Sequence, residues 1–161
     1  MVGYHYCSHD VEDYPSNAHF PELGRIRICL RRENIGKGCR FVKELKKYIN
    51  CKSSVNFFNI TNYEEKNLAS ACDAAADANA DFVYFADTHG GLDLADNSEM
   101  FQRFTKLIRE AGMIPGLHLH DHLEKAYYSY RNLGNAGFGA TDVSLGGCRK
   151  MIGQPQIRTC I

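Results

Sequence analysis

Apolar positions along this chain recur with two different periods. Short runs rich in β-branched and aromatic residues occupy residues 25–30, 54–60, 81–86, 114–120 and 139–145. Between them lie stretches whose apolar residues return every three or four positions. Phe41, Val42, Leu45, Tyr48 and Ile49 share one helical stripe, and Met100, Phe101, Phe104, Leu107 and Ile108 share another. Five strands alternating with four helices predict an α/β fold of parallel strands joined by crossover helices. The interval from strand to strand, about 25 to 33 residues, is the length of one βα unit. An open doubly wound sheet and part of a closed barrel both fit that rhythm.

The punctuation agrees with the periods. Thr61 with Glu64 has the form of a capping box, and Asp96 or Asn97 is placed to cap the helix containing Met100. Gly112 and Gly134 stand where the later helices should stop. Residues 1–24 differ, with Tyr4, His5, Tyr6, Cys7, His9 and Asp10 followed by Pro15 and Pro21. They read as a loop-rich lead-in whose residues 2–6 resemble the end of a strand. Residues 25–161 form the domain.

Composition narrows the function. Lys plus Arg and Asp plus Glu are equal at 19 each, so no net charge draws the chain to nucleic acid or acidic lipid. No run approaches the roughly 18 apolar residues of a membrane span. The seven cysteines are scattered singly with no CxxC pair, and no secretory leader is recognisable. The expectation is a reduced, cytoplasmic setting. No GxGxxG or GxxxxGK loop supports a nucleotide site.

In parallel α/β folds ligands bind at the carboxyl ends of the strands. Arg31 and Glu33 follow the first strand, Asn56 and Asn59 lie in the second, and Asp87, Thr88 and His89 end the third. His118 to His122 end the fourth, and Asp142 and Ser144 lie in the fifth. The sharpest signal is Gly116-Leu117-His118-Leu119-His120-Asp121-His122, because strand residues two apart point to one face. Two converging neutral imidazoles suit a first-row divalent ion and leave room for a carboxylate, water and substrate. Against this stands a pair of strand histidines bonded to backbone or to Asp121. The strand-end position, with Asp87 and Thr88 ending the preceding strand, favours metal. His122 and His89 read as loop or supporting residues.

Asp87 reads either as a functional carboxylate or as a turn residue for Thr88-His89-Gly90-Gly91. Asn56 and Asn59 suit either a substrate or interior network or a surface edge. Cys148, after Gly146 and Gly147, reads as a small loop residue rather than a nucleophile.

The segments Asp81-Phe-Val-Tyr-Phe-Ala-Asp87-Thr88, Gly116-Leu-His118-Leu-His120-Asp121 and Asn135-Ala-Gly137-Phe-Gly-Ala-Thr-Asp142-Val-Ser144-Leu-Gly-Gly147 resemble, in order and spacing, the HMG-CoA-lyase-like (DRE-TIM) metallolyases. These include 4-hydroxy-2-oxovalerate aldolase and the carboxyltransferase domain of pyruvate carboxylase. The resemblance covers about residues 25 to 154 and implies a (β/α)8 TIM barrel. It implies a carbon–carbon lyase or aldolase acting on a 2-oxo acid or related acyl substrate through a metal-stabilised enolate. His118 and His120 would be the ligands of a divalent ion, Mn, Mg, Zn or Co. Asp87 is the candidate catalytic residue, and Asn56, Thr88 and Ser144 are candidates for binding substrate.

The sequence departs from that pattern. The family's first strand carries an Arg-Asp step, and no Arg-Asp pair occurs in this chain. Where the family's glycine-rich loop ends Gly-Asn, Gly153 is followed by Gln154. A complete barrel takes about 250 residues, so about five βα units make a partial one. The expectation is therefore a fragment, a subunit completed by another chain, or a degenerate relative, with exposed edges favouring self-association. A non-catalytic binding or assembly subunit derived from such a barrel is the alternative function.

Overall fold

The structure is a computed structural model that describes residues 2–5, 24–92, 98–120, 126–131 and 135–142. Its elements run β1 (Val2–His5), β2 (Arg25–Leu30), α1 (Ile35–Leu45), β3 (Lys52–Phe57), α2 (Glu65–Asp77), β4 (Phe82–Asp87), α3 (Ser98–Glu110), β5 (Ile114–Leu119), α4 (Ala126–Arg131) and β6 (Ala140–Thr141). All six strands are parallel, and their order in the sheet is their order in the chain. A doubly wound sheet reverses its strand order at a switch point, whereas a barrel does not. The helices follow the same logic, with α1 against α2 and α2 against α3 along one side. The fold is a partial TIM barrel.

Alternation along the strands creates two faces. Ile26, Ile28, Leu30, Val55, Phe57, Val83, Phe85, Leu117 and Leu119 are buried on the helix side. They meet Val42 and Leu45 of α1, Leu68 and Ala75 of α2, and Phe101, Phe104 and Ile108 of α3. Phe85 is the hub, with ring centres 6.3 Å from Phe57, 6.0 Å from Phe101 and 6.1 Å from Phe138. The other face carries Arg27, Cys29, Ser54, Asn56, Tyr84, Gly116 and His118, and this is the inner face of the barrel segment.

Several expected boundaries move. The second predicted strand runs from Lys52 to Phe57, not 54–60. Phe58 N–H still donates to Leu30 O at 3.0 Å, but Asn59 adopts a left-handed conformation and 60–62 form a 3-10 turn. Thr61 therefore lies inside that turn. The expected capping box does not form, and α2 starts after Glu64 with no side-chain cap bond. Tyr48 and Leu107 leave their stripes and are 62% and 46% exposed. Gly112 does end α3, at φ 79°. Its N–H reaches Arg109 O, and Met113 N–H reaches Ile108 O, satisfying the last carbonyls. Residues 2–5 form a strand that pairs with β2. Asp96, Asn97 and Gly134 lie outside the described residues, as does the rest of the predicted fifth strand beyond residue 142.

The amino end of the sheet is tied by Asp81. One carboxylate oxygen accepts from Ser53 N–H at 2.8 Å and Lys46 Nζ at 3.0 Å, and the other accepts from Lys52 Nζ at 2.8 Å. Burial acts to raise this carboxyl, but Lys52, the Ser53 amide and Lys46 together hold it well below its ordinary value of 3.8. A depressed folded value stabilises the fold above the unfolded value, and that stabilisation is lost as pH falls below it. Asp81→Asn is expected to flatten the acid limb of the stability curve, read as the urea midpoint from about pH 5 to about pH 2. An unchanged acid limb would show that the network adds nothing. Phe85→Ala should cost about 3–5 kcal/mol in urea unfolding, since it empties the centre of the aromatic cluster.

Candidate metal centre

The inner face is polar where a barrel interior is commonly filled by branched aliphatic side chains. Register explains how its members meet. Cys29, Asn56, Tyr84, Gly116 and Ala140 form one row across β2 to β6, and Ala86 beside His118 begins the next. Arg27 lies one row below, next to Ser54. Its guanidinium reaches forward over the Tyr84 ring, 4.2 Å from the ring centre.

His118 and His120 extend from the carboxyl end of β5 with ring centres 5.2 Å apart and planes at 65°. His118 Nδ1 lies 2.8 Å from Asp142 Oδ2. The same carboxylate is gripped by Arg27, with Nη2 to Oδ1 at 2.9 Å and Nη1 to Oδ2 in close contact. Asp142 is placed from its backbone: its N–H donates to Leu117 O at 3.2 Å, and its carbonyl accepts from Tyr130 Oη at 2.6 Å. Burial acts to raise the Asp142 carboxyl, but the His118 hydrogen bond and the Arg27 guanidinium overcome it and hold the group down to about 2. Burial also acts to lower Arg27, but the hydrogen bond and charge of Asp142, with Tyr84 and Cys29, together outweigh it, so the guanidinium stays charged. Burial pushes the neighbouring Cys29 thiol up, so it is no thiolate nucleophile at neutral pH.

The other candidates divide. Asn56 is on the inner face and 2% exposed. Its Nδ2 lies 3.9 Å from Cys29 Sγ, while its Oδ1 has no hydrogen-bond partner among the described residues. Ser54 Oγ and Arg27 Nε are buried and unpaired in the same sense. Asp87 is buried, but strand alternation puts it on the opposite face from His118. Its carboxylate accepts the Gly91 N–H at 3.2 Å and the Leu92 N–H at 2.8 Å, holding the loop after β4. Thr88 Oγ1 accepts the Asn59 N–H at 3.0 Å, joining the loops after β3 and β4. His89 is exposed. Asp121, His122, Ser144, Gly146, Gly147 and Cys148 lie outside the described residues.

Two residues of this cluster, Arg27 and Tyr84, are absent from the sequence-based candidates, and Asp142 is there only as a strand-end polar residue. The available signal was period two: Arg25, Arg27 and Cys29 alternate with Ile26, Ile28 and Leu30, which gives the strand a polar face.

A parallel barrel segment with a histidine–carboxylate–arginine cluster at its carboxyl end is the class that fold and site define. Its solved structural relatives are specific. The chain matches the carboxyltransferase domain of Rhizobium etli pyruvate carboxylase with a TM-score of 0.66 and 20% identity, covering 88% of this chain and 24% of that one. It matches an HMG-CoA lyase from Bacillus subtilis with a TM-score of 0.65 and 14% identity, covering 87% and 55%. It matches an HMG-CoA lyase from Acinetobacter baumannii with a TM-score of 0.60 and 15% identity, covering 81% and 47%. The chain thus spans about half the length of these lyases. They are the proteins that the HxHD and Asp-Thr segments resemble, and the likeness is one of fold. No family model and no curated protein matches the sequence.

Gly116 shows how tightly the inner face is packed. A Cβ there would lie 2.7 Å from the Tyr84 ring, which supports Arg27. Gly116→Ala is expected to displace Tyr84 and cost about 1–3 kcal/mol, measured by thermal and urea unfolding. A cost near zero would mean that the ring moves freely.

Proposed function

We propose that this chain is the metal-holding part of a carbon–carbon lyase or aldolase barrel, with His118 and His120 as ligands of one divalent ion and a 2-oxo acid or related acyl compound as substrate. The imidazole pair on the inner face carries this reading. Two imidazoles sharing one ion at metal–nitrogen distances of about 2.1 Å have ring centres roughly 5 Å apart, and the observed separation is 5.2 Å. Among the described residues no group of three or more His, Cys, Asp or Glu forms a metal cluster. A two-imidazole set leaves coordination positions for water and a chelating substrate. When bound, the ion supplies Lewis acidity toward a substrate carbonyl. Mn, Mg, Zn and Co are the candidates.

The chain's own side chains then have distinct roles. Asn56 offers a substrate donor a buried carbonyl oxygen that has no partner among the described residues. Thr88 braces two loops at the mouth of the barrel. Asp87 anchors the loop after β4 from the face opposite His118, and a catalytic role for its carboxylate requires it to leave the Gly91 and Leu92 amides and turn to the inner face. Ser144 joins the substrate-binding set on sequence grounds. The structural relatives support the substrate class: one structure of the Rhizobium etli domain holds pyruvate, and the Acinetobacter baumannii lyase holds coenzyme A and 3-methylmalate. No helix among the described residues is long and apolar enough to cross a membrane.

A second reading, a non-catalytic binding or assembly subunit, is favoured by the engagement of Asp87 with its loop. The described sheet has β1 and β6 at its edges, and unpaired edges recruit further strands from another copy or a partner chain. Calorimetric titration of the metal-free chain with Mn and Zn is expected to show saturable binding that His118→Ala, His120→Ala abolishes. Binding that survives the double substitution moves the site elsewhere. Divalent-dependent cleavage of a 4-hydroxy-2-oxo acid by the purified chain excludes the non-catalytic reading.

A further inference from the structure

The metal reading leaves one arrangement unexplained, a buried arginine that reaches across the inner face to a carboxylate on the far side. Arg27 on β2 is 6% exposed, sits over the Tyr84 ring, and forms two bonds with Asp142, 115 positions away in sequence. Oδ2 of that carboxylate also faces His118 Nδ1 at 2.8 Å. Asp142 has little freedom to turn away, since Leu117 O holds its amide and Tyr130 Oη holds its carbonyl.

The hydrogen-bonding inventory of these groups gives the arrangement a direction. An ionised carboxylate only accepts and a guanidinium only donates. With Arg27 donating to both oxygens, the contact at Oδ2 requires the His118 proton to sit on Nδ1. That places the ring's lone pair on Nε2 and sets the ring's orientation.

We infer that Asp142, clamped by Arg27, is a positioning residue that holds His118 in the Nδ1–H tautomer and so makes Nε2 its coordinating nitrogen. The inference rests on the metal reading for its purpose, but the tautomer can be measured without metal. A bidentate arginine suits this task because its fork fixes the carboxylate plane as well as its charge, which a lysine does not. An ion pair serving only to fill the barrel interior has no need of the third contact to His118.

The substitution Asp142→Asn separates these roles. Arg27 still needs an acceptor, so the amide oxygen turns to it and the NH2 group faces His118. The imidazole must then accept at Nδ1, which moves its proton to Nε2. The experiment is a long-range 1H–15N correlation on the metal-free full chain labelled in its histidines, at a pH where His118 is neutral, with Mn titrations alongside.

The expected result is Nδ1–H for His118 in the parent, Nε2–H in Asp142→Asn, and Mn affinity about 10- to 100-fold weaker in the variant. Nε2–H in the parent overturns the inference even if the variant fails to fold. An unchanged tautomer in the variant overturns it too, as does a changed tautomer with unchanged Mn affinity. If the tautomer switches but neither protein binds metal, Asp142 remains the positioning residue of His118 and the metal reading alone fails.

Discussion

A guanidinium carried on the inner face of a sheet, 6% exposed, cannot remain there unless its charge is answered. Arg27 is answered by Asp142, and that one pairing places several other groups. It requires β6 to follow β5 closely enough for the Leu117 carbonyl to hold the Asp142 amide. It also requires a flat surface over which the arginine can cross the sheet, which Tyr84 provides. Tyr84 in turn needs a residue without a side chain beside it, and Gly116 is that residue. The His118 ring meets the same carboxylate, so a packing problem and a chemical arrangement share one solution.

The two faces of the sheet do different work. The helix side is apolar and centred on Phe85, with Phe57, Phe101 and Phe138 around it. Its burial is the source of most of the stability. The inner side holds buried polar atoms without partners among the described residues, namely Arg27 Nε, Ser54 Oγ and Asn56 Oδ1. Such atoms cost stability when left unmet; three of the six among the described residues lie on this face, and the others belong to Asn59, Tyr63 and Asn67 in the loop after β3 and in α2. The fold therefore keeps its apolar packing on one surface and a set of buried polar side chains on the other. The loops after β3 and β4 close one end through Thr88 and Asp87, and Asp81 ties the opposite end.

The structural relatives are enzymes and enzyme domains of whose own length this chain covers about half or less, matched at 14% to 20% identity. At that distance backbone arrangement is retained while side chains are free to change, so function has to be argued from the site. Here the proposed site is the imidazole pair and its carboxylate support. The Arg-Asp step of the resembling family is missing from the sequence. An arginine and an aspartate nevertheless meet in space on the inner face, contributed by strands far apart in the chain.

The sequence by itself determined the alternating βα order, the first predicted strand from Arg25 to Leu30, the stop at Gly112 and the placing of His118 at the end of β5 with His120 one residue beyond it. Each depends on local periodicity or on the conformational range of a single residue, which neighbours in sequence are enough to define. Tertiary structure alone decided that the strands take sequential order. It also decided that Asp87 turns to its loop while Asn56 faces inward, and that Arg27 joins His118 through Asp142. Those outcomes depend on how the sheet is wound and on which buried charge finds a partner. Desolvation enforces that partnership only when distant strands come together, and no local pattern along the chain encodes it.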